Sequence, residues 1–167
     1  MNGAELEIVE GINAARAAAG LAALRPNEEL TQAARRHAAD MAVHPYIVHT
    51  GSDGSDGGRR IREAGYQWLE WGEVVGWGFG GDARRMVDWW LGSPGHRPYL
   101  LDVTLREVGV GYVAAPGSRW GHYWVADFGR RAETAATYQS YVPVVVAGPV
   151  GAQTSGMIDL LPYLAGD

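Results

Sequence analysis

The hydrophobic positions of the first forty residues recur every three or four residues, the spacing that places them on one face of a helix. Two such stripes occur, one in residues 4–19 and one in residues 27–42. Their members are Leu6, Ile8, Val9 and Ile12 in the first, and Leu30, Ala34, His37 and Met41 in the second. The pattern predicts two amphipathic helices, with Asn27 as the N-cap of the second and His37 facing the core.

The periodicity changes after residue 44. Residues 45–58 are rich in Gly, Ser and Asp, which predicts an ordered loop, and Asp56 is placed to cap a short helix ending near Ala64. The apolar run Glu73 to Trp77 predicts a buried strand, and Asp82 predicts the start of a helix that ends at Gly92. Alternation over residues 107–114 and 120–129, joined by a turn at residues 116–118, predicts a hairpin. This order of elements favours the α+β class.

The pattern fails after Arg131. A β-branched run at residues 141–146 and an apolar stretch at residues 157–164 follow. We therefore expect a domain of residues 1–131 and a C-terminal extension of residues 132–167, either a docked tail or a linker. An apolar tail of this kind could also make the chain a homo-oligomer.

Composition excludes several classes of protein. The net charge of −5 disfavours nucleic-acid binding, and the absence of cysteine excludes disulfides and thiolate chemistry. No stretch is apolar enough to cross a membrane, and acidic residues stand where a signal peptide would be basic and then apolar. The chain is therefore expected to be intracellular, or a mature fragment whose signal peptide has been removed.

Three residues are candidates for chemistry. His49 opens the Gly/Asp loop, His96 follows the turn Ser93-Pro94-Gly95, and Glu73 stands in an apolar strand where it needs a cationic, hydrogen-bonding or metal partner. Their spacing matches no local metal motif, so a buried hydrogen-bond network is the competing explanation. The seven tryptophans are many for this length, and those outside the core could form a platform for a sugar or a lipid.

Several short motifs occur together in one order along residues 5–130. They are His49-Thr50-Gly51-Ser52-Asp53-Gly54-Ser55, Arg62-Glu63-Ala64-Gly65-Tyr66, Gly72-Glu73, Gly76-Trp77-Gly78, Val87-Asp88-Trp89-Trp90, Ser93-Pro94-Gly95-His96-Arg97, Glu107-Val108-Gly109-Val110-Gly111-Tyr112 and Asp127-Phe128-Gly129. In this combination the chain resembles a bacterial member of the CAP superfamily, the cysteine-rich secretory protein, antigen 5 and pathogenesis-related 1 group, also called SCP-like domains.

The resemblance implies a three-layer α-β-α sandwich with a central, mainly antiparallel sheet. It also implies a large cleft in which His49, His96 and Glu73 are able to bind a divalent metal, with zinc as the first candidate. Ser93 stands where eukaryotic members have a second Glu, and Tyr123 where they have a second His; with Trp71, these two residues are expected to line the cleft. His122 is offset by one residue and should point to the other face of its strand.

Three functions follow as alternatives. The resemblance favours a secreted protein that binds a lipid, a glycan or another protein in its cleft rather than catalysing a reaction. The first alternative is a hydrolase with a metal-bound water as nucleophile and Glu73 as general base. The second is a structural or interaction module that acts through its Trp-rich surface or its tail.

Overall fold

Five α-helices and four strands make up the described part of the chain, which in this computed structural model comprises residues 1–45 and 48–132. The helices are α1 (Gly3–Ala18), α2 (Glu28–Val43), α3 (Gly57–Glu63), α4 (Ala83–Gly92) and α5 (Arg97–Leu100). The strands are β1 (Arg25–Pro26), β2 (Glu70–Trp77), β3 (Glu107–Ala114) and β4 (His122–Arg130).

Side-chain caps fix where the main helices begin. Asn27, Asp56 and Asp82 each accept a hydrogen bond from the backbone amide three residues later, as the sequence predicts for α2, α3 and α4. At α1, Asn2 and Glu5 form a reciprocal capping box. These caps satisfy amides that have no partner inside the helix.

The four strands form one sheet in the order β1-β3-β4-β2. Strand β1 runs parallel to β3, and the two other pairings are antiparallel. The β3–β4 hairpin lies where the alternating pattern predicts it. Strand β2 begins at Glu70, three residues before its predicted start, and β1 was not predicted.

Helices cover both faces of the sheet, which confirms the predicted α-β-α sandwich. On one face, α1 and α4 bury Ile8, Ile12, Met86 and Trp90 against Val74, Val108, Trp124 and Phe128. On the other face, α2 buries Ala34, Ala38 and Met41 against Val75 and Val125, and α3 adds Ile61. Both faces of the sheet are therefore removed from water, which is the main source of stability.

Two glycines of β3 let α2 lie unusually close to the sheet. A Cβ atom at Gly109 would come within 2.1 Å of the Thr31 backbone nitrogen, and one at Gly111 within 2.3 Å of the Ala34 carbonyl carbon. No rotamer change could relieve contacts with backbone atoms. The absence of side chains at these two positions sets the height of α2 over β3 and β4.

The described residues belong to one compact unit, Met1–Ala132, and the boundary between domain and C-terminal extension stays a prediction. None of the described helices combines the length and the apolar character that a membrane crossing requires. The predicted C-terminal extension and its two apolar segments lie outside the described residues, apart from Ala132 itself, and so does the predicted homo-oligomer contact.

Candidate functional site

A cleft of about 410 Å³ lies along the outer edge of β2, a volume typical of small-molecule and peptide subsites. It is lined by His49, Thr50, Asp56, Gly57, Trp71, Gly72, Glu73, Gly95, His96 and Tyr99. The structure thus brings His49, Glu73, His96 and Trp71 together although they are far apart in sequence.

Glu73 forms the floor of the cleft and is held from two sides. Its Oε2 accepts a hydrogen bond of 2.5 Å from the Arg60 guanidinium, and both side chains are at most 2% exposed. Its Oε1 lies 2.9 Å from Nδ1 of His49, whose side chain is 53% exposed. Both carboxylate oxygens are therefore engaged. Of the partners expected for Glu73 from the sequence, the structure has a cation, Arg60, and a hydrogen-bonding side chain, His49.

These contacts also set the ionisation of Glu73. Burial alone would raise the pKa of this carboxyl, but the hydrogen bond with His49 and the positive charge of Arg60 outweigh burial and hold its pKa below the ordinary value. Glu73 is therefore an ion-paired carboxylate at neutral pH. A carboxylate of lowered pKa is a weak proton acceptor.

Arg60 also fixes the loop that carries His49. Its guanidinium donates to the carbonyl oxygens of Ser55 at 2.8 Å and of His49 at 3.0 Å. The Ser52 amide donates to Asp40 of α2 at 2.8 Å, and the Gly51 amide to the Ser55 carbonyl at 2.8 Å. The loop is anchored to α2 and α3, so His49 is presented from a rigid support.

His96 stands on the other wall of the cleft, directly before α5. Its Nδ1 lies 2.7 Å from the Ser93 hydroxyl, and its ring centroid lies 4.8 Å from that of Trp89, which is 42% exposed. Burial, and to a smaller degree the charge of His49, lower the pKa of His96. The imidazole is therefore neutral at pH 7. Its Nδ1 makes the contact with Ser93, and Nε2 takes no part in that contact.

Asp127 lies on β4 directly opposite Glu73 and on the same face of the sheet. It is fully buried, and no described group donates a well-formed hydrogen bond to either of its carboxyl oxygens. Burial, reinforced by the neighbouring charge of Glu73, raises the pKa of Asp127 well above the ordinary value. Asp127 therefore carries a proton under conditions in which Glu73 is ionised.

The aromatic rings of the cleft rest on glycines. A Cβ atom at Gly57 or Gly58 would come within 2.6 or 2.8 Å of the Trp71 ring, and one at Gly72 within 2.5 Å of the Tyr99 ring. Trp71 and Tyr99 therefore pack directly against the backbone of these glycines, and Tyr99 remains 41% exposed. Rings held in this way lose little conformational freedom when a ligand binds.

The other predicted residues lie at different distances from the cleft. Ser93 lies beside His96, with its hydroxyl 2.7 Å from Nδ1, and is not among the residues that line the cleft. Tyr123 is 1% exposed and packs with Val125 under α2. It lies four residues along β4, about 13 Å, from Asp127, the residue opposite Glu73. This corrects the expectation that Tyr123 lines the cleft. His122 points to the opposite face, as predicted, where its Nδ1 lies 2.7 Å from the Tyr112 hydroxyl.

His37 is buried in the core, as its helical stripe predicts. Its Nε2 donates to the Val48 carbonyl at 2.6 Å, which leaves Nδ1 without a proton and without a partner among the described residues. Burial lowers the pKa of His37, although the charge of Glu73 acts in the opposite direction. The neutral imidazole supports the loop from below.

The residues do not fit a three-ligand metal site in this arrangement. Among residues 1–45 and 48–132, no three His, Cys, Asp or Glu side chains are grouped so that they could hold a metal ion. Glu73, the expected third ligand, has both oxygens engaged by Arg60 and His49. A metal at His49, Glu73 and His96 stays a prediction from the resemblance and requires that Glu73 change its contact with His49 or with Arg60.

Sequence reasoning missed Arg60, Asp127 and Tyr99. Arg60 is one of three arginines within four residues of a short helix, and only its position next to the buried Ile61 distinguishes it. Asp127 occurs in an otherwise apolar strand, as Glu73 does, and the same argument from burial could have found it. Nothing in the sequence around Tyr99 places its ring on Gly72.

Comparisons with known proteins identify the family. The sequence model of the cysteine-rich secretory protein family, CAP, matches residues 9–128. The uncharacterised protein YkwD of Bacillus subtilis is 30% identical over 121 residues, 72% of this chain and 46% of YkwD. This chain spans less than half the length of the curated relatives it matches.

Two solved structures share the fold. An extracellular protein of Bacillus anthracis that contains an SCP domain superposes with a TM-score of 0.69 at 24% identity, over 78% of this chain and 41% of that one. An outer surface protein of Borrelia burgdorferi superposes with a TM-score of 0.68 at 22% identity, over 75% of this chain and 90% of that one.

Proposed function

Since this chain belongs to the CAP family of cysteine-rich secretory proteins, we propose that it is an extracellular protein whose cleft binds a ligand without transforming it. The proposed location is supported by the solved structures of similar fold, which are described as extracellular or outer surface proteins.

The engagement of Glu73 carries the proposal for binding rather than catalysis. A general base needs a free oxygen and a pKa near the working pH. Glu73 has neither, because Arg60 and His49 occupy its oxygens and hold its pKa low. A buried ion pair under fixed rings is suited to recognition, since it keeps the floor of the cleft in one conformation.

Blocking the cleft tests the proposal. Gly95 lines the cleft, and a Cβ atom added there meets only the Ser93 hydroxyl, at 3.9 Å, so Gly95→Gln should fold and fill the cleft. Gly92→Gln is the matched control, because a Cβ at Gly92 has no neighbour within 4 Å and Gly92 does not line the cleft.

Tryptophan fluorescence can report binding because Trp71 lines the cleft. The probes are nonapeptides chosen from an immobilised nonapeptide array, chitotetraose and maltotetraose, and phosphatidylcholine vesicles with cholesterol. We expect at least one class to bind the wild type and the Gly92→Gln variant, and to bind Gly95→Gln at least about tenfold more weakly. Equal binding by both variants would place recognition outside the cleft.

Catalysis can be examined with the same proteins. We expect no hydrolysis of p-nitrophenyl acetate or labelled casein, with or without added zinc, above the level of a Glu73→Gln variant. Turnover that depends on Glu73 would contradict the proposal and favour the hydrolase.

A further inference from the structure

Strand β2 is the outer strand of the sheet. It pairs with β4 along one side, and within the described residues no strand pairs with its other side. Open edges are usually covered, because their unpaired backbone groups attract other strands. Here the edge lines the cleft, where Trp71 is partly exposed and Gly72 and Glu73 are buried.

The register shows which backbone groups face this edge. The Gly78 amide donates to the His122 carbonyl, so even-numbered residues of β2 bond to β4. Because hydrogen-bonding direction alternates along a strand, the N–H and C=O groups of Trp71, Glu73 and Val75 point outward. The Val75 carbonyl accepts a bond of 2.9 Å from the Trp90 indole on that side, which agrees with this assignment.

Two residues keep their outward groups available. Among the described residues, the backbone N–H and C=O of Trp71 and Glu73 have no partner at the open edge. Both residues line the cleft, and so does Gly72 between them. The indole of Trp90 closes the edge at Val75, so the available run consists of residues 71–73.

The two walls of the cleft come from opposite layers of the sandwich. Trp71 and the His49 loop stand on the α3 side, where Trp71 rests on Gly57 and Gly58. Tyr99 rests on Gly72, whose missing side chain would point to the opposite face of β2. A chain lying along the edge would therefore present alternate side chains to alternate walls.

We propose that the ligand is an extended polypeptide segment that adds to β2 as a further strand, through the backbone groups of Trp71 and Glu73. This inference rests on the proposed function and names its ligand class. Strand addition satisfies all four outward groups at once, and the walls supply side-chain selectivity. The cleft has no aliphatic side chain among its described lining residues, so acyl chains fit it less well.

Charge narrows the class of segment. Glu73 is balanced inside the protein by Arg60, but Asp56 also lines the cleft and is exposed, and the chain carries a net charge of −5. Acidic segments are therefore repelled, and neutral or basic segments rich in β-branched residues are favoured.

A backbone N-methyl scan of the best binder from the nonapeptide array tests the mode of binding with the full chain. N-methylation removes one donor and blocks one edge of the peptide. We expect binding to weaken about tenfold at alternate peptide positions and little at those between them. Equal effects of N-methylation on binding at all peptide positions would overturn strand addition.

Amide hydrogen exchange supplies an internal control. In the peptide complex, the amides of Trp71 and Glu73 should exchange at least about tenfold more slowly, because they gain partners. The amides of Gly72 and Val74 already bond to β4 and should change little. Peptide binding that leaves Trp71 and Glu73 unprotected would contradict the inference.

The two proposals can fail separately. If chitotetraose or vesicles bind in a manner that Gly95→Gln blocks, and no peptide does, the proposed function stands and strand addition is wrong. If no probe binds in a manner that depends on Gly95, both fail.

Discussion

At the scale of single residues, the site is dominated by charges that are balanced inside the protein. Glu73 and Arg60 are both almost fully buried, and each is the principal partner of the other. Removing one member of such a pair leaves an uncompensated charge, which costs far more than the pair contributes to stability.

Arg60→Gln should therefore lower the free energy of unfolding by about 3–5 kcal/mol. The matched control is Arg59→Gln, since Arg59 is exposed and pairs with Glu63 on the surface. Urea unfolding of both variants measures the difference, and we expect Arg59→Gln to change stability little. Equal midpoints for the two variants would show that Arg60 is not the counterion of Glu73.

Substitution of Asp127 should stabilise the protein at neutral pH, in contrast to substitution of Arg60. Its pKa is raised by burial, so stability is fully present below about pH 4, the ordinary range for Asp, and falls as the pH rises toward the folded-state pKa. Asp127→Asn removes this loss and should raise the melting temperature at pH 7 but not at pH 4. Asp88→Asn, an exposed control, should do neither. A lower melting temperature at both pH values would mean that the carboxyl itself is required.

Zinc retention tests the metal prediction. Since Arg60 and His49 occupy Glu73, the two imidazoles lack a third protein ligand, and we expect zinc to be removed by dialysis. Metal analysis of the wild type, His49→Ala and His96→Ala after dialysis measures this. One retained equivalent that either substitution abolishes would contradict this expectation and support a metal site at His49 and His96.

At the scale of elements, the contact of α2 with β3 depends on glycine. Gly109→Ala would drive a methyl group into backbone atoms of α2 and should cost about 3 kcal/mol or more. Gly92→Ala is the control, because its Cβ meets nothing within 4 Å, and it should leave stability unchanged or slightly higher. Chemical unfolding compares them; a small effect at Gly109 would mean that α2 can move away from the sheet.

A helix or strand can be predicted from the sequence when contacts between residues close together in the chain determine it. Asn27, Asp56 and Asp82 mark helix starts because a cap is a contact within four residues. Strand β1 is two residues long and is held by parallel pairing with β3, so it has no period to detect. The cleft follows the same rule, since His49, Glu73 and His96 carry recognisable motifs whereas Arg60 joins Glu73 only through the tertiary fold.

At the scale of the whole molecule, buried titratable groups set the tolerance to acid. Burial lowers the pKa of His37, so the unfolded chain takes up a proton near pH 6.5 while the folded chain does not. Stability should therefore fall as the pH drops below about 6.5. The lowered pKa of Glu73 adds a further loss below about pH 4.5.

Substitution of His37 should flatten this dependence. The melting temperature of His37→Gln should change less between pH 7 and pH 5 than that of the wild type. Gly92→Gln, which changes an exposed position without a titratable group, should keep the wild-type slope. Differential scanning calorimetry across this range measures both, and parallel curves for all three proteins would remove His37 as the source of the acid sensitivity.

The positions around the cleft are of two kinds. The glycines that pack against Trp71 and Tyr99 cannot be substituted freely, whereas other positions can. Gly57, Gly58 and Gly72 cannot gain a side chain without displacing Trp71 or Tyr99. Thr50 and Gly95 are exposed around the same opening and bear none of this constraint. New ligand preferences can therefore arise by changing the second group alone, so this domain offers a scaffold whose specificity can be redesigned without rebuilding its fold.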